Sequence, residues 1–239
     1  MDAAEFYTGI VPEVYSALRG TRFSSDRYRT FIQEHGLPAL ELGCGEDGPF
    51  FELASAGYDV IGVDSSADMV RRGRERLERN QITAEIHHQR MEELNLEATF
   101  ASIYLAGPTF NLLPDDTTAL NSLQAIARHL RPAGAALIPL WMPQPTPPEH
   151  MGVTRVSPSA AGEARYTVVD ETYDRDRRVR TTHVRYELIT EREPLVADRA
   201  WVIHWFSDDV FRELATTAGL RAAFTRLDDE QTEAVLRLI

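Results

Sequence analysis

The sequence predicts an α/β protein built on a doubly wound, seven-stranded, mostly parallel sheet, with an antiparallel β insertion after the fifth strand. Three observations carry this expectation. Short apolar runs alternate with stretches of helical periodicity along most of the chain. One of these runs, 39–42, leads into a glycine turn (Gly43, Gly45, Gly48), then a helix opened by Pro49, then a second apolar run ending at Asp64. The rhythm breaks over 141–207, where a proline-rich connector, MPQPTPP, cannot be helical and precedes segments of strand-like alternation.

The elements follow in order. Two helical stretches come first, 3–18, interrupted at Pro12, and 26–34. Strands are expected at 39–42, 59–63, 84–88, 100–106 and 135–140. Between them, 68–80 reads as a charged, solvated helix, and 117–129 carries an apolar face of Leu120, Leu123, Ile126 and Ala127. The interrupted region offers three alternating segments, 164–172, 178–190 and 198–206, with a polar turn beginning at Asp174. Ser207 then suits the N-cap of a helix through 218 that Gly219 ends, and strands at 222–227 and 234–239 complete the sheet. Ligands of open α/β sheets bind beyond the strands' carboxyl ends. The insertion is therefore expected to roof the substrate site or to form a homo-oligomer interface.

Composition narrows the function. With 239 residues the chain can bury one sizeable core, as a single domain with room for an insertion. A net charge of −12 argues against a nucleic-acid partner, which calls for a basic stripe. The single cysteine, Cys44, excludes a disulfide framework and favours a reducing cytoplasm. No signal peptide and no membrane-spanning apolar run is evident.

The glycine turn implies a nucleoside-containing cofactor but does not choose it. Gly43-x-Gly45-x-x-Gly48 satisfies the dinucleotide fingerprint, and Asp64 lies near the position of a ribose-binding acid. Glu41 makes the choice. A pyrophosphate at the turn would be repelled by a carboxylate beside it, and Glu46 and Asp47 add to that repulsion. The ammonium and sulfonium of S-adenosylmethionine suit the same acidic turn, so that cofactor is expected.

ELGCGEDG followed by VIGVDSSADMV resembles motif I and the acidic strand end after it in class I S-adenosylmethionine-dependent methyltransferases. The resemblance implies a Rossmann-like sheet and assigns roles by position. Asp64 would hold the ribose hydroxyls, Gly43 and Gly45 would pass under the methionine portion near Glu41, and Ser65 and Met69 would flank the adenine. HHQRMEEL falls at the adenine edge; there Met91 can stack, whereas Arg90 cannot accept the adenine amino hydrogen. Leu105 opens a loop, LAGPTFNLLPDD, that borders the donor and the acceptor. Phe110 in that loop is either a wall of the reaction centre or a core aromatic, and Asn111 is expected to cap locally.

The resemblance further implies an N-terminal lid over the cofactor, 1–36. Its Tyr7 and Tyr15, two helical turns apart, either face a cationic centre or simply pack. Arg19 and Arg22 would hold an acidic substrate group or lie solvated. The histidines offer base candidates at 87, 88, 129, 150, 183 and 204, each better explained structurally, and His87 and His88 face opposite sides of a strand, so they are no metal pair. The LAGPTFNLL loop, the N-terminal tyrosine pair and the inserted meander together resemble amino-sugar and lincosamide antibiotic N-methyltransferases, and that resemblance implies methyl transfer to an amine of a small-molecule acceptor. An O-methyltransferase, a NAD-dependent oxidoreductase and a non-catalytic cofactor-binding protein are the alternatives.

Overall fold

A computed structural model describes residues 3–18 and 24–239; Arg19 and Arg22 lie outside the described residues. The main sheet contains β1 (Ala39–Leu42), β2 (Val60–Asp64), β3 (Glu85–His88), β4 (Phe100–Leu105) and β5 (Leu130–Trp141). With the late strands β10 (Leu220–Arg226) and β11 (Gln231–Leu238) its order is β10-β11-β5-β4-β1-β2-β3. β3 to β5 run parallel through β2, β1 and β4, and β11 is antiparallel to both β5 and β10. The chain leaves β1 towards β2 and returns to β4 on its other side, so a switch point lies at the carboxyl ends of β1 and β4.

Both faces of this sheet are buried, as the near-continuous apolar runs require. Leu40 and Leu42 point into a core shared with α6 (Asp116–His129) and α7 (Asp208–Thr217). Ala39 points the other way, among aromatic residues of α3 (Asp26–His35) and α4 (Pro49–Ser55) and Val70 of α5 (Ala67–Arg79). Helix starts follow capping chemistry. Pro49 opens α4, and the Ser66, Asp115 and Ser207 side chains accept from the backbone N–H groups of Met69, Thr118 and Val210.

The insertion forms a separate four-stranded antiparallel sheet in the order β6 (Thr154–Ser159), β7 (Gly162–Asp174), β8 (Val179–Ile189) and β9 (Leu195–His204). It has one strand more than the sequence suggested. β6 is polar and contains Pro158, which an edge strand tolerates because one side of it needs no ladder donor. The N-terminal helices α1 (Ala3–Phe6) and α2 (Val11–Leu18) pack on this sheet, with Phe6, Val11 and Val14 meeting Ala164, Val184, Tyr186 and Leu188.

Three boundaries are corrected. The N-terminal break falls at Gly9 (φ 63°), not at Pro12, which sits in the first turn of α2 where its missing N–H costs nothing. The segment 26–35 does not belong to the lid: Tyr28, Phe31 and Ile32 are buried in the core beneath the main sheet. β5 begins at Leu130 rather than 135, through Arg131, Pro132 and Gly134, with a register shift against β4.

Candidate functional site

Alternation along β1 turns Glu41 to the same side as Ala39, and its neighbours across the sheet are Gly62 and Tyr104. The carboxylate is 0% exposed. Its surroundings close tightly, since a Cβ on Gly48 would stand 3.1 Å from Glu41 Oε1 and 3.0 Å from the Cys44 carbonyl oxygen. Burial, and after it the Glu41 carboxylate, push the Tyr104 phenol well above its usual pKa. Tyr28, stacked on Tyr104 at 5.0 Å, is pushed up to about 12, chiefly by burial. A buried carboxylate edged by protonated phenols favours a cation in any cavity it lines.

The glycine turn follows. Gly43 has φ 74°, and a Cβ there would come within 2.6 Å of Thr109 Cγ2, so only glycine lets the turn pass beneath that loop. The turn is tied to β2: Gly43 and Cys44 donate to the Val63 carbonyl (2.7 and 3.1 Å), and Gly45 N–H donates to Asp64 Oδ2 (2.9 Å). Asp64 Oδ1 accepts from Ser66 N–H (2.8 Å). Burial raises the Asp64 pKa, and these two donors oppose the rise. Each carboxylate oxygen keeps a lone pair for a further donor such as a ribose hydroxyl.

Around this turn lies a cavity of about 610 Å³ at the carboxyl ends of β1, β2 and β4. It gathers Tyr7, Tyr15, Glu41, Gly43, Gly45, Asp64, Ser65, Met69, Arg90 and Met91 of the residues singled out from sequence. Arg90 faces Glu92 at 3.5 Å, and the Ser65 carbonyl meets His88 Nε2 at 3.0 Å. Tyr7 follows α1 and Tyr15 lies within α2, yet their rings meet edge to face at 5.3 Å, and Phe6 adds a third ring 4.9 Å from Tyr7.

Two expected site residues are elsewhere. Phe110 is 0% exposed and packs against Phe206 and Phe211, each ring 5.4 Å away, in the core beside α6 and α7. Leu105 is buried in that same core. Neither lines the cavity, because β4 alternates and the loop after it turns these apolar side chains inward. Asn111 is not a local cap. Its side chain donates to the Trp141 and His204 carbonyls and accepts from Trp141 N–H, all at 2.9 Å, which staples the end of β5 to the end of β9.

The sequence missed contributions of distant segments. Thr109, Leu113 and Thr118 line the cavity after β4, and Ala200, Trp201 and Val202 reach it from the insertion. Alternation along β9 marks Trp201 as a face residue, but no local signal says which face meets the cavity. No histidine of the described residues lines it. His129 is held in the fold by the Ala125 carbonyl (2.7 Å) and Leu96 N–H (3.0 Å), and His204 is buried, its pKa lowered by burial and by Arg178.

Residues 39–134 match the family model of a methyltransferase domain. A cypemycin N-terminal methyltransferase from Streptomyces sp. is 35% identical over 106 residues, which is 43% of this chain and 41% of that protein. The chain thus matches under half the length of its curated relatives. The sugar N-methyltransferase KedS8 from Streptoalloteichus sp. has a similar structure, with a TM-score of 0.80 at 17% identity, covering 97% of this chain and 94% of that one. CalS10 with bound S-adenosylmethionine, an amino pentose methyltransferase from Micromonospora echinaspora, has a TM-score of 0.69 at 18% identity and covers 96% and 97%. At these identities the two structures establish a shared fold.

Proposed function

We propose that the chain is an S-adenosylmethionine-dependent methyltransferase that transfers a methyl group from this donor to an amine nitrogen of a small-molecule acceptor, a reading supported by the match of residues 39–134 to a methyltransferase domain. The observation that carries the reading is Glu41, a fully buried carboxylate at the end of β1 on the wall of the cavity. A phosphate-bearing dinucleotide would be repelled there, whereas the donor's ammonium and sulfonium are attracted. In this reading Asp64 accepts from the ribose hydroxyls, Met69 and Met91 sandwich the adenine, and Gly43 and Gly45 let the backbone approach the methionine portion.

When bound, the donor supplies an electrophilic methyl carbon. The chain's part is to align the acceptor nitrogen with that carbon and exclude water, which alone accounts for a large share of the rate. The amine lone pair forms the new N–C bond, the S–C bond breaks with its electrons going to sulfur, and the proton of the resulting ammonium leaves to solvent. A neutral amine needs no dedicated base, which agrees with a lining that carries tyrosines but no histidine among the described residues. The net charge of −12 supports a small-molecule rather than a nucleic-acid acceptor, and the lone buried Cys44 accords with a reducing cytoplasm. No helix among the described residues is long and apolar enough to cross a membrane.

Calorimetric titration with S-adenosylmethionine, S-adenosylhomocysteine and NAD tests the donor. We expect binding of the first two, lost in Asp64→Ala and weakened at least tenfold in Glu41→Gln. Radiolabelled methyl transfer to glucosamine and to trialanine tests the acceptor class. Binding of NAD alone would overturn the proposal.

A further inference from the structure

The insertion's buried face is divided in two. Along β8 the buried positions are Arg180, Thr182, Val184, Tyr186 and Leu188. The last three pack beneath α1 and α2. The first two lie at the other end, beside Trp141 and the proline-rich connector, and Arg180 brings charge where an apolar core would be expected.

Arg180 and Glu171 form an ion pair there, Nε to Oε2 3.7 Å, with side chains only 8% and 7% exposed. Glu171 accepts from Thr146 N–H (2.8 Å), Thr146 Oγ1 (2.7 Å) and Thr182 Oγ1 (2.9 Å). Arg180 donates to the Gln144 carbonyl (2.9 Å), which ties the connector to the sheet. Its guanidinium lies over two indoles, 4.6 Å from the Trp141 ring and 5.7 Å from the Trp201 ring. These rings are 6.0 Å apart, and Trp201 lines the cavity.

This arrangement is a poor stabiliser. A buried ion pair gains little over well-packed apolar side chains of the same volume. Arg180 Nε and Trp201 Nε1 are also both buried without a hydrogen-bond partner, and such donors cost stability. What the arrangement does supply is position. A planar guanidinium held by a carbonyl and a carboxylate fixes the two indoles stacked on it. Residues of the loops after β1, β2 and β3 line the cavity around the glycine turn and Asp64, where the proposed function puts the donor. Tyr7, Tyr15, Leu113, Thr118 and Trp201 also line it, from other parts of the chain.

We infer that Trp201 is the wall against which the acceptor packs, and that the buried Arg180–Glu171 pair, through its stack with Trp141, sets where that wall stands. Trp201 is then a specificity residue and Arg180 a positioning residue. The inference rests on reading the cavity as a joint site for donor and amine acceptor.

The test is calorimetric titration of glucosamine and trialanine into the protein saturated with S-adenosylhomocysteine. Trp201→Ala and Arg180→Met should each weaken amine binding at least tenfold while changing the S-adenosylhomocysteine Kd by less than twofold. The double variant Arg180→Met with Glu171→Met removes the stranded carboxylate. It should regain the thermal midpoint lost in the single variant without regaining amine affinity. If amine affinity returns with the midpoint, the pair is merely structural and the inference fails. It fails equally if Trp201→Ala leaves amine binding unmoved, or if neither amine binds the wild-type complex. A wild-type protein that does not bind S-adenosylhomocysteine would instead overturn the functional reading itself.

Discussion

Asp64 answers opposite demands in folding and in binding. Burial raises its pKa in the folded protein. A carboxyl with a raised folded pKa contributes stability that is fully present below its unfolded pKa and lost as pH rises through the folded value. Binding has the other sign, because a ribose hydroxyl donates best to the ionised carboxylate. S-adenosylhomocysteine affinity should therefore rise with pH across the window from the ordinary carboxylate range to the raised value, then level off. Over that window the ligand-free protein should lose stability. Asp64→Asn should flatten both curves, as read by calorimetry and thermal unfolding in the same buffers; a binding curve for this variant as steep as the wild type's would assign the titration to another group. At this scale the sequence was most legible where chemistry is local. Glu41, the glycines and Asp64 lie within one βαβ unit, so their spacing sufficed to predict that they meet at one cavity. Phe110 was not legible, because a lone aromatic after a strand points to core or cavity according to a loop path that only the assembled sheet fixes.

Among the elements, α2 is secured to the main sheet's periphery by charge as well as by packing. Arg72 of α5 binds the Glu46 carboxylate, a cavity residue, and also reaches Glu13 of α2 at 3.3 Å. Ser16 of α2 donates to the same Glu46 at 2.7 Å, and Gly9 N–H donates to Asp68 at 3.0 Å. These contacts join the N-terminal segment to the glycine turn through a latch of partly exposed polar groups. Arg72→Ala should speed hydrogen exchange over 11–18 about tenfold and raise the S-adenosylhomocysteine dissociation rate, with little change in the exchange of β1 or β4. Unaltered exchange over 11–18 would show that apolar packing alone holds α2. The same scale explains which elements the sequence revealed. The main strands are apolar on both faces and bounded by turn residues, a strong signal. β6 and the start of β5 contain prolines and charges, and their strand state comes from the partner they pair with rather than from their own composition.

For the whole molecule, the cavity lies between two bodies of different make. One is the doubly wound sheet with its two large cores, which supplies Glu41, the glycine turn and Asp64. The other joins the two ends of a long sequence separation, α1 and α2 with the inserted sheet, through one small core. Phe6 sits at the centre of that second body, buried, 6.0 Å from the Tyr186 ring and on the cavity wall. A core this small has few contacts to lose and should open below the global unfolding free energy. Truncating Phe6 to alanine removes roughly 3–5 kcal/mol where a core can least replace it. Hydrogen exchange on Phe6→Ala should then show β7 and β8 losing protection together with α2, while β1, β2 and β4 keep theirs. Donor and acceptor binding should both decline, since Phe6, Tyr7 and Tyr15 of the loosened body line the cavity and Ser16 holds Glu46 of the glycine turn. Equal loss of protection across both sheets would mean that they unfold as one unit. In that case the walls contributed by the two bodies could not be tuned separately, and selection for a new acceptor would have to act on the donor site as well.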